Sequence, residues 1–317
     1  MKIRAFEERD LATFVEIGNR CFPEYAWTLD DARHEDATWT DPKFFKARWF
    51  VDDDAGNAVA YLQLNHQRGW FEPTRYRCDI NVLPEHRRRG YGSALERQAV
   101  SAARERGGRL LIGNTKESMG ESLDFVSHRG WVERQRSWES RLDVDAFDFT
   151  KFAEAEPRVA RQGVRIVTLA DELRRDRETA IRKAFAIEDL CRHDIPSVDR
   201  ATEGSLERFV MEVDGPQIIL DAFFLAVLDG EYIGISDLWR DSDNSRGLYQ
   251  GLTGVHPAHR GKGIAMALKL QTVRYARANG KALIKTWNDT RNRPMLRINE
   301  AMGFVKQPAW IEFEKRL

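Results

Sequence analysis

The sequence predicts an α/β protein made of two tandem copies of one domain, each a mixed central β-sheet flanked by helices. Three observations carry that prediction: a glycine-rich segment that occurs twice, landmarks kept in one order around both occurrences, and short apolar strands alternating with longer helical stretches. Val82-Leu-Pro-Glu-His-Arg-Arg-Arg-Gly-Tyr-Gly92 is answered about 173 residues later by Val255-His-Pro-Ala-His-Arg-Gly-Lys-Gly-Ile-Ala265. Around these segments Tyr76 matches Tyr249, Asn114 matches Asn288, Gly130 matches Gly303 and Trp138 matches Trp310. The period is far longer than a solenoid repeat, so each copy is a whole domain. The boundaries read 1–148 for the first domain, 149–160 for a charged, proline-containing linker with a short helix, and 161–317 for the second.

Each copy runs strand, one or two helices, several strands, then helix, strand, helix, strand. In the second copy the apolar runs Phe223 to Leu228, Tyr232 to Leu238 and Leu248 to Val255 read as strands, the first two joined by the turn Asp229-Gly230. The first copy offers Ala58 to Leu64 and Tyr76 to Leu83. After each glycine-rich segment comes an alanine-rich, charged stretch, Ser93 to Arg106 or Ile264 to Ala278, that reads as a helix ending at Gly107 or Gly280. Short strands follow at Arg109 to Ile112 and Ala282 to Trp287.

Composition excludes several classes. The chain is 42% apolar and 32% charged, as a globular protein is, and its 50 basic and 50 acidic residues cancel, so no net field draws it onto nucleic acid or an anionic membrane. No apolar run reaches the roughly 20 residues of a membrane span, and the first residues lack the apolar stretch of a signal peptide, so a cytoplasmic protein is expected. Cys21, Cys78 and Cys191 are widely spaced and unmatched with histidines, which suggests neither a disulfide framework nor a metal site.

The chemistry lies in the repeated segment. A strand that delivers a glycine loop to a helix start gathers backbone N–H groups and the positive end of the helix dipole at one spot, which suits a pyrophosphate. The spacing fits neither the phosphate-binding loop, which needs Gly-Lys before Ser or Thr, nor the three-glycine dinucleotide fingerprint. The alternative is an ordinary basic turn leading into a surface helix.

Arg-x-x-Gly-x-Gly/Ala after a central strand resembles the acetyl-CoA signature of the GNAT (N-acetyltransferase) superfamily. Both copies carry it, as Arg87-Arg-Arg-Gly90-Tyr-Gly92 and as Arg260-Gly-Lys-Gly263-Ile-Ala265. The stretch Asn288 to Phe304 also resembles the closing strand, helix and Gly-Phe turn of that family. The resemblance implies two tandem GNAT-like domains, each with a splayed pair of central strands, and acetyl-CoA as the acyl-donor substrate. It further implies that Thr253, Gly254 and Val255 meet the pantetheine arm, that Gly261, Lys262, Gly263, Ile264 and Ala265 with Arg260 meet the pyrophosphate, and that Asn288 and Asn292 lie beside them. Asn292 is equally open to reading as a helix cap. In the first copy the corresponding residues are Val82, Arg87, Arg88, Arg89, Gly90, Tyr91 and Gly92. The implied reaction moves an acetyl group to a primary amine, that of a small molecule in the reading preferred, by direct attack on the thioester. The alternatives are a protein N-acetyltransferase and a non-catalytic acyl-CoA-binding sensor or scaffold. No nucleic-acid, membrane or metal partner is expected, and the assembly reads as a monomer or homodimer.

An alkylammonium must lose a proton before it attacks, so a general base is expected. Asp237 on a strand is the first candidate, with Glu188, Asp189 and Asp194 in the helical region that would cover the acceptor site; each is open to reading as an ordinary paired carboxylate. Many family members carry a tyrosine that protonates the leaving thiolate. By position that residue is Asn299 here, and Val126 in the first copy, so either another group does this work, with Tyr249 as the candidate, or the CoA thiolate leaves without protein help. Asp237, Tyr249 and Asn299 are therefore the candidate catalytic residues. The second copy keeps more of the pattern and is expected to be the catalytic one, with the first a structural partner that can retain acetyl-CoA; its loop Arg87 to Gly92 is complete enough to leave two active sites as the alternative. Lys269 and Arg274 read as a solvated helix face, His86 and His128 as surface or packing residues, and Trp239, Trp287 and Trp310 as core.

Overall fold

The computed structural model describes residues 2–242 and 245–317. Two compact units emerge: unit 1 comprises Met1–Arg136, Val198–Thr202 and Pro308–Leu317, and unit 2 comprises Ser137–Ser197 and Glu203–Gln307. Among the described residues no helix is long and apolar enough to cross a membrane.

Unit 1 contains β1 (Lys2–Ala5), α1 (Leu11–Cys21), α2 (Leu29–Ala37), β2 (Lys46–Asp52), β3 (Ala58–Asn65), β4 (Arg75–Val82), α3 (Tyr91–Arg104), β5 (Leu110–Lys116) and α4 (Gly120–Ser127). Strand β6 (Val132–Asp143) begins in unit 1 and runs into unit 2. Unit 2 continues with α5 (Ala155–Ala160), β7 (Arg165–Thr168), α6 (Leu169–Arg175), α7 (Arg177–Arg192), α8 (Leu206–Val213), β8 (Ile218–Leu228), β9 (Glu231–Arg240), β10 (Gly247–Val255), α9 (Ile264–Ala278), β11 (Leu283–Asp289), α10 (Arg293–Met302) and β12 (Val305–Lys306). The last strand, β13 (Trp310–Arg316), belongs to unit 1.

The sheet of unit 1 has the order β1-β2-β3-β4-β5-β13, and that of unit 2 the order β7-β8-β9-β10-β11-β6. In each, one pair is parallel, β4 with β5 and β10 with β11, and the other neighbours are antiparallel. The compact units thus divide the chain differently from the sequence repeat. The sheet of unit 1 is closed by the last strand of the second repeat, through Trp310↔Lys116 to Arg316↔Leu110. The sheet of unit 2 is closed by the last strand of the first, through Leu283↔Asp143 to Asp289↔Ser137.

Both faces of each sheet are covered, so alternate residues of the inner strands enter two different cores. Along β8, Phe223, Leu225 and Val227 pack with α6, α7 and α8, while Ala222, Phe224 and Ala226 pack beneath α9. In β3, Val59 and Tyr61 meet Phe14 and Ile17 of α1, and Leu62 and Leu64 meet Leu95 and Ala99 of α3. Burial of each such large side chain stabilises by about 1.5–3 kcal/mol. The stretch 149–160 is built into unit 2: Val159 is in the core, Phe149 and Phe152 pack against it, and Glu156 accepts from Arg274 Nη2 at 2.6 Å. Arg274 is therefore tied down and also lies 4.5 Å above the Phe149 ring, not on a freely solvated face.

Candidate active site

A fork opens in each sheet. Strands β4 and β5 pair from Arg75↔Leu110 to Arg77↔Ile112 and then part. Strands β10 and β11 pair from Gly247↔Leu283 to Tyr249↔Lys285 and then part. Tyr249 therefore stands at the apex of its fork, with its ring 5.2 Å from that of Trp287 and the Lys285 ammonium 5.2 Å above it. Lys285 is also paired with buried Asp241 at 2.9 Å.

Each fork strand leads through a short turn into a helix whose N-cap is a left-handed glycine, Gly90 with φ +86° before α3 and Gly263 with φ +91° before α9. Any larger residue would be strained at such a φ, and neither cap supplies a side-chain acceptor to the helix start. The N–H groups of residues 88–93 and 261–266 consequently have no acceptor among the described residues, which leaves two anion cradles at helix N-termini. The first arginine of each motif is committed elsewhere. Arg87 Nε donates to Val82 O at 3.2 Å and Arg260 Nε to Val255 O at 2.9 Å, and their guanidinium ends reach Glu121 and Asp194. These arginines pin the loop to the strand end, and positive charge toward a ligand is left to exposed Arg88, Arg89 and Lys262.

Unit 1 holds a cavity of about 780 Å³ that follows its fork from the cradle past Asn81 and Thr115 to Trp310. Val126 and His86 also line it, so His86 faces the cavity.

Unit 2 differs in its fork strand. The register of β3 with β4 is uninterrupted, whereas that of β9 with β10 shifts between Gln250 and Thr253. Such a bulge re-aims side chains beside it. A Cβ at Gly251 would overlap Asp237 Oδ2 and stand 2.9 Å from Trp239 Nε1, so only glycine fits where the bulge meets that carboxylate. Asp237 is buried, its Oδ2 accepts from Trp239 Nε1, and its Oδ1 has no partner among the described residues. Burial pushes its pKa up to about 7, the Trp239 N–H opposes the rise, and the charge of Glu188 adds to it. Glu188 on α7 is itself pushed up to about 7, chiefly by burial. Asp189 and Asp194, by contrast, are bound by Arg192 and Arg260.

Gln250, beside the bulge, ties the fork strand to its neighbours. Its Nε2 donates to Asp237 O at 2.7 Å and Ser236 Oγ at 3.1 Å, and its Oε1 accepts from Thr272 Oγ1 at 2.9 Å and Lys269 Nζ at 3.4 Å. Thr253 shares a 2.8 Å hydrogen bond with Ser236, and Gly254 is covered so closely by Cys191 that a Cβ there would overlap it. Lys269 corrects the sequence-based expectation: it is 1% exposed and lies under the sheet, 4.9 Å over the Phe304 ring. Asn299 is buried too and donates from Nδ2 to Asn288 Oδ1 at 2.7 Å, which joins α10 to the far arm of the fork. Asn292 caps α10, its Oδ1 accepting from Met295 N at 3.4 Å. The fork brings Asp237, Gly251 and Gln250 together; Tyr249 lies at its apex and the Asn288–Asn299 pair along β11. Trp239, expected in the core, is instead 40% exposed with its N–H on Asp237, and nothing in the sequence singles out Gly251 or Gln250; the one available signal is an acid in an apolar run, Gly234-Ile-Ser-Asp237-Leu-Trp239.

The sequence model of the acetyltransferase (GNAT) family matches residues 11–130 and 194–304. A mycothiol acetyltransferase of Acidothermus cellulolyticus is 26% identical over 282 residues, covering 84% of this chain and 78% of that protein. Another, of Brachybacterium faecium, is 25% identical over 228 residues, covering 70% of this chain and 63% of its own length. Among solved structures, a tandem GNAT protein from the clavulanic acid biosynthesis pathway superposes with a TM-score of 0.74 at 21% identity, covering 99% of this chain and 98% of that one.

Proposed function

The chain belongs to the acetyltransferase (GNAT) family and is an N-acetyltransferase, and we propose that it carries an acetyl group from acetyl-CoA to the primary amine of a small molecule, with the chemistry in unit 2. The observation that carries this reading is the meeting of Asp237 with the bulge at Gly251, at the mouth of a fork that ends in an anion cradle. In this reading the pyrophosphate lies on the N–H groups of 261–266 and the pantetheine arm follows Thr253 to Val255 toward the fork. Asp237, whose pKa near 7 leaves it largely ionised above neutrality, takes a proton from the ammonium directly or through one water. The neutral amine then attacks the thioester carbonyl, and a backbone N–H of the parted stretch of β10 stabilises the oxyanion. The tetrahedral intermediate collapses with CoA thiolate as the leaving group, and the second proton on the acylated nitrogen passes to water or to the departing thiolate. Neither the Asn299 amide nor the Val126 side chain can protonate it, and a thiol of pKa about 8.5 leaves acceptably near neutral pH without help. The mycothiol acetyltransferase relatives support a small-molecule amine in place of a protein lysine.

The test is release of CoA thiol from acetyl-CoA in the presence of a panel of primary amines, from small-molecule amines to lysine peptides. The expected result is turnover with a small amine and none with the peptides. Absence of turnover with every amine, from protein that binds acetyl-CoA, would favour the sensor alternative.

A further inference from the structure

The cavity of unit 1 carries features that an acetyl group does not use. It begins at the cradle of residues 88–93 and continues past the point where β4 and β5 part, to a wall of Phe22, Tyr25, Trp27 and Trp310. Trp310 meets Tyr25 edge-on at 5.3 Å and Phe22 at 5.8 Å, so these three rings form one aromatic surface, with Trp27 lining the same cavity. Four buried polar atoms on this cavity's lining residues have no partner among the described residues: Asn81 Oδ1, His86 Nδ1, Thr115 Oγ1 and Trp310 Nε1. Asn81 is 7% exposed and Thr115 4%. Buried polar atoms are nearly always paired in native proteins, and Asn81, Thr115 and Trp310 line the cavity, where a ligand can supply partners once these side chains turn toward it.

Charge narrows the class of ligand. The charged groups around the aromatic end are already neutralised, Asp79 by Arg77 at 2.8 Å and Lys116 by Glu24 at 3.1 Å, with the Tyr25 hydroxyl also on Lys116. On the strand beside β4, Leu64 faces Cys78, where unit 2 sets Asp237 against Gly251. The chamber therefore suits an uncharged ring, and the cradle suits a phosphate.

We infer that the cavity of unit 1 is a binding site for an acyl-CoA whose acyl group is aromatic, with the phosphates on residues 88–93, the amide arm along Asn81 and the ring against Trp27 and Trp310. It shares with the proposed function only the CoA moiety. Calorimetric titration of the full chain carrying Gly263→Glu isolates this site, with acetyl-CoA and phenylacetyl-CoA as the two probes. Phenylacetyl-CoA is expected to bind at least about tenfold tighter than acetyl-CoA, since a ring gains apolar contact that a methyl lacks. Trp27→Ala, at a half-exposed position, should cut that preference severalfold, Trp310→Ala should remove it, and Gly90→Glu should remove binding of both ligands. Equal affinities for the two thioesters, no binding of either by folded protein, or a preference that survives both tryptophan substitutions would overturn the inference. Acetyl-CoA turnover by the wild type would stand untouched in all three cases, which separates this failure from failure of the proposed function.

Discussion

Asp237→Asn is expected to lower kcat/KM for the amine by about 10²- to 10⁴-fold, the range that a positioned general base contributes, while acetyl-CoA affinity is unchanged. The residue is buried against the Gly251 bulge, and burial pushes its pKa up to about 7, so it can be unprotonated at working pH and still basic enough to accept a proton. A base must be ionised to act; kcat/KM should therefore rise with pH through about 7 and flatten above it. Glu188→Gln gives the sign a second check. The Glu188 charge raises the Asp237 pKa, so its removal should move the rising limb to lower pH without abolishing activity. An Asp237→Asn enzyme that keeps both rate and limb would remove this residue from the mechanism.

Lys269→Met is expected to stabilise the protein at and below neutral pH. The ammonium is 1% exposed, has no ion pair among the described residues and reaches one acceptor, Gln250 Oε1 at 3.4 Å. Unit 1 handles a charge at the corresponding helix position differently: buried Glu96 accepts from Trp131 Nε1 at 2.7 Å, Lys315 at 2.8 Å and Arg129 at 2.9 Å. Burial pushes the Lys269 pKa down from 10.5 to about 7, against a raising influence from Asp237. The unfolded chain then binds more protons than the folded one between pH 7 and 10.5, so stability rises with pH across that window. Below it the cost of burying the charge is fully present, on the order of 3–5 kcal/mol at 1.36 kcal/mol per pKa unit. Methionine has a similar volume and forfeits the weak hydrogen bond, worth about 1 kcal/mol or less, and the cation–π contact with Phe304, worth about 1–2 kcal/mol, which together stay below the cost of the buried charge. Urea unfolding of both proteins at pH 6, 8 and 10 should show the gain largest at pH 6 and nearly gone at pH 10. A destabilised variant with no pH trend would show that Lys269 is held by interactions that offset its burial.

Much of the scaffold could be read from residue patterns. Ile264 to Ala278 is both the helix expected from the sequence and the one observed, because the glycine before it and the asparagine and glycine after it punctuate the chain strongly. Strands β3, β4, β8, β9 and β10 also lie within a few residues of their apolar runs. The closing strands show what such patterns do not carry. Trp138 and Trp310 marked equivalent places in two repeats, but an apolar-polar strand pattern states only that a strand exists and not which sheet receives it. Their assignment to opposite units, and with it the presence of Trp310 in the cavity of unit 1, needed the tertiary structure.

The cradles were legible because glycine spacing reports backbone geometry directly. The surroundings of Asp237 were only partly so. Its place in an apolar strand signalled burial, but the close approach of Gly251 and the Trp239 hydrogen bond depend on a bulge with no local signature beyond one glycine. Lys269 departs from the solvated face expected of it, since a lysine on a helix after a phosphate loop normally faces water. The neighbouring Leu268 and Leu270, both buried, show that this helix is apolar around most of its circumference.

Steady-state acetyl transfer by Gly263→Glu and Gly90→Glu proteins, each beside its alanine counterpart, tests the seat of catalysis most directly. Alanine imposes the same strain at positive φ without the charge, so the glutamate-alanine difference reads repulsion of pyrophosphate alone. The account predicts that Gly263→Glu loses about 100-fold or more in kcat/KM for acetyl-CoA, since opposing like charges cost several kcal/mol, while Gly90→Glu turns over amine at close to the wild-type rate. Loss of turnover in Gly90→Glu with full activity in Gly263→Glu would place the reaction in unit 1 and contradict the role given to Asp237.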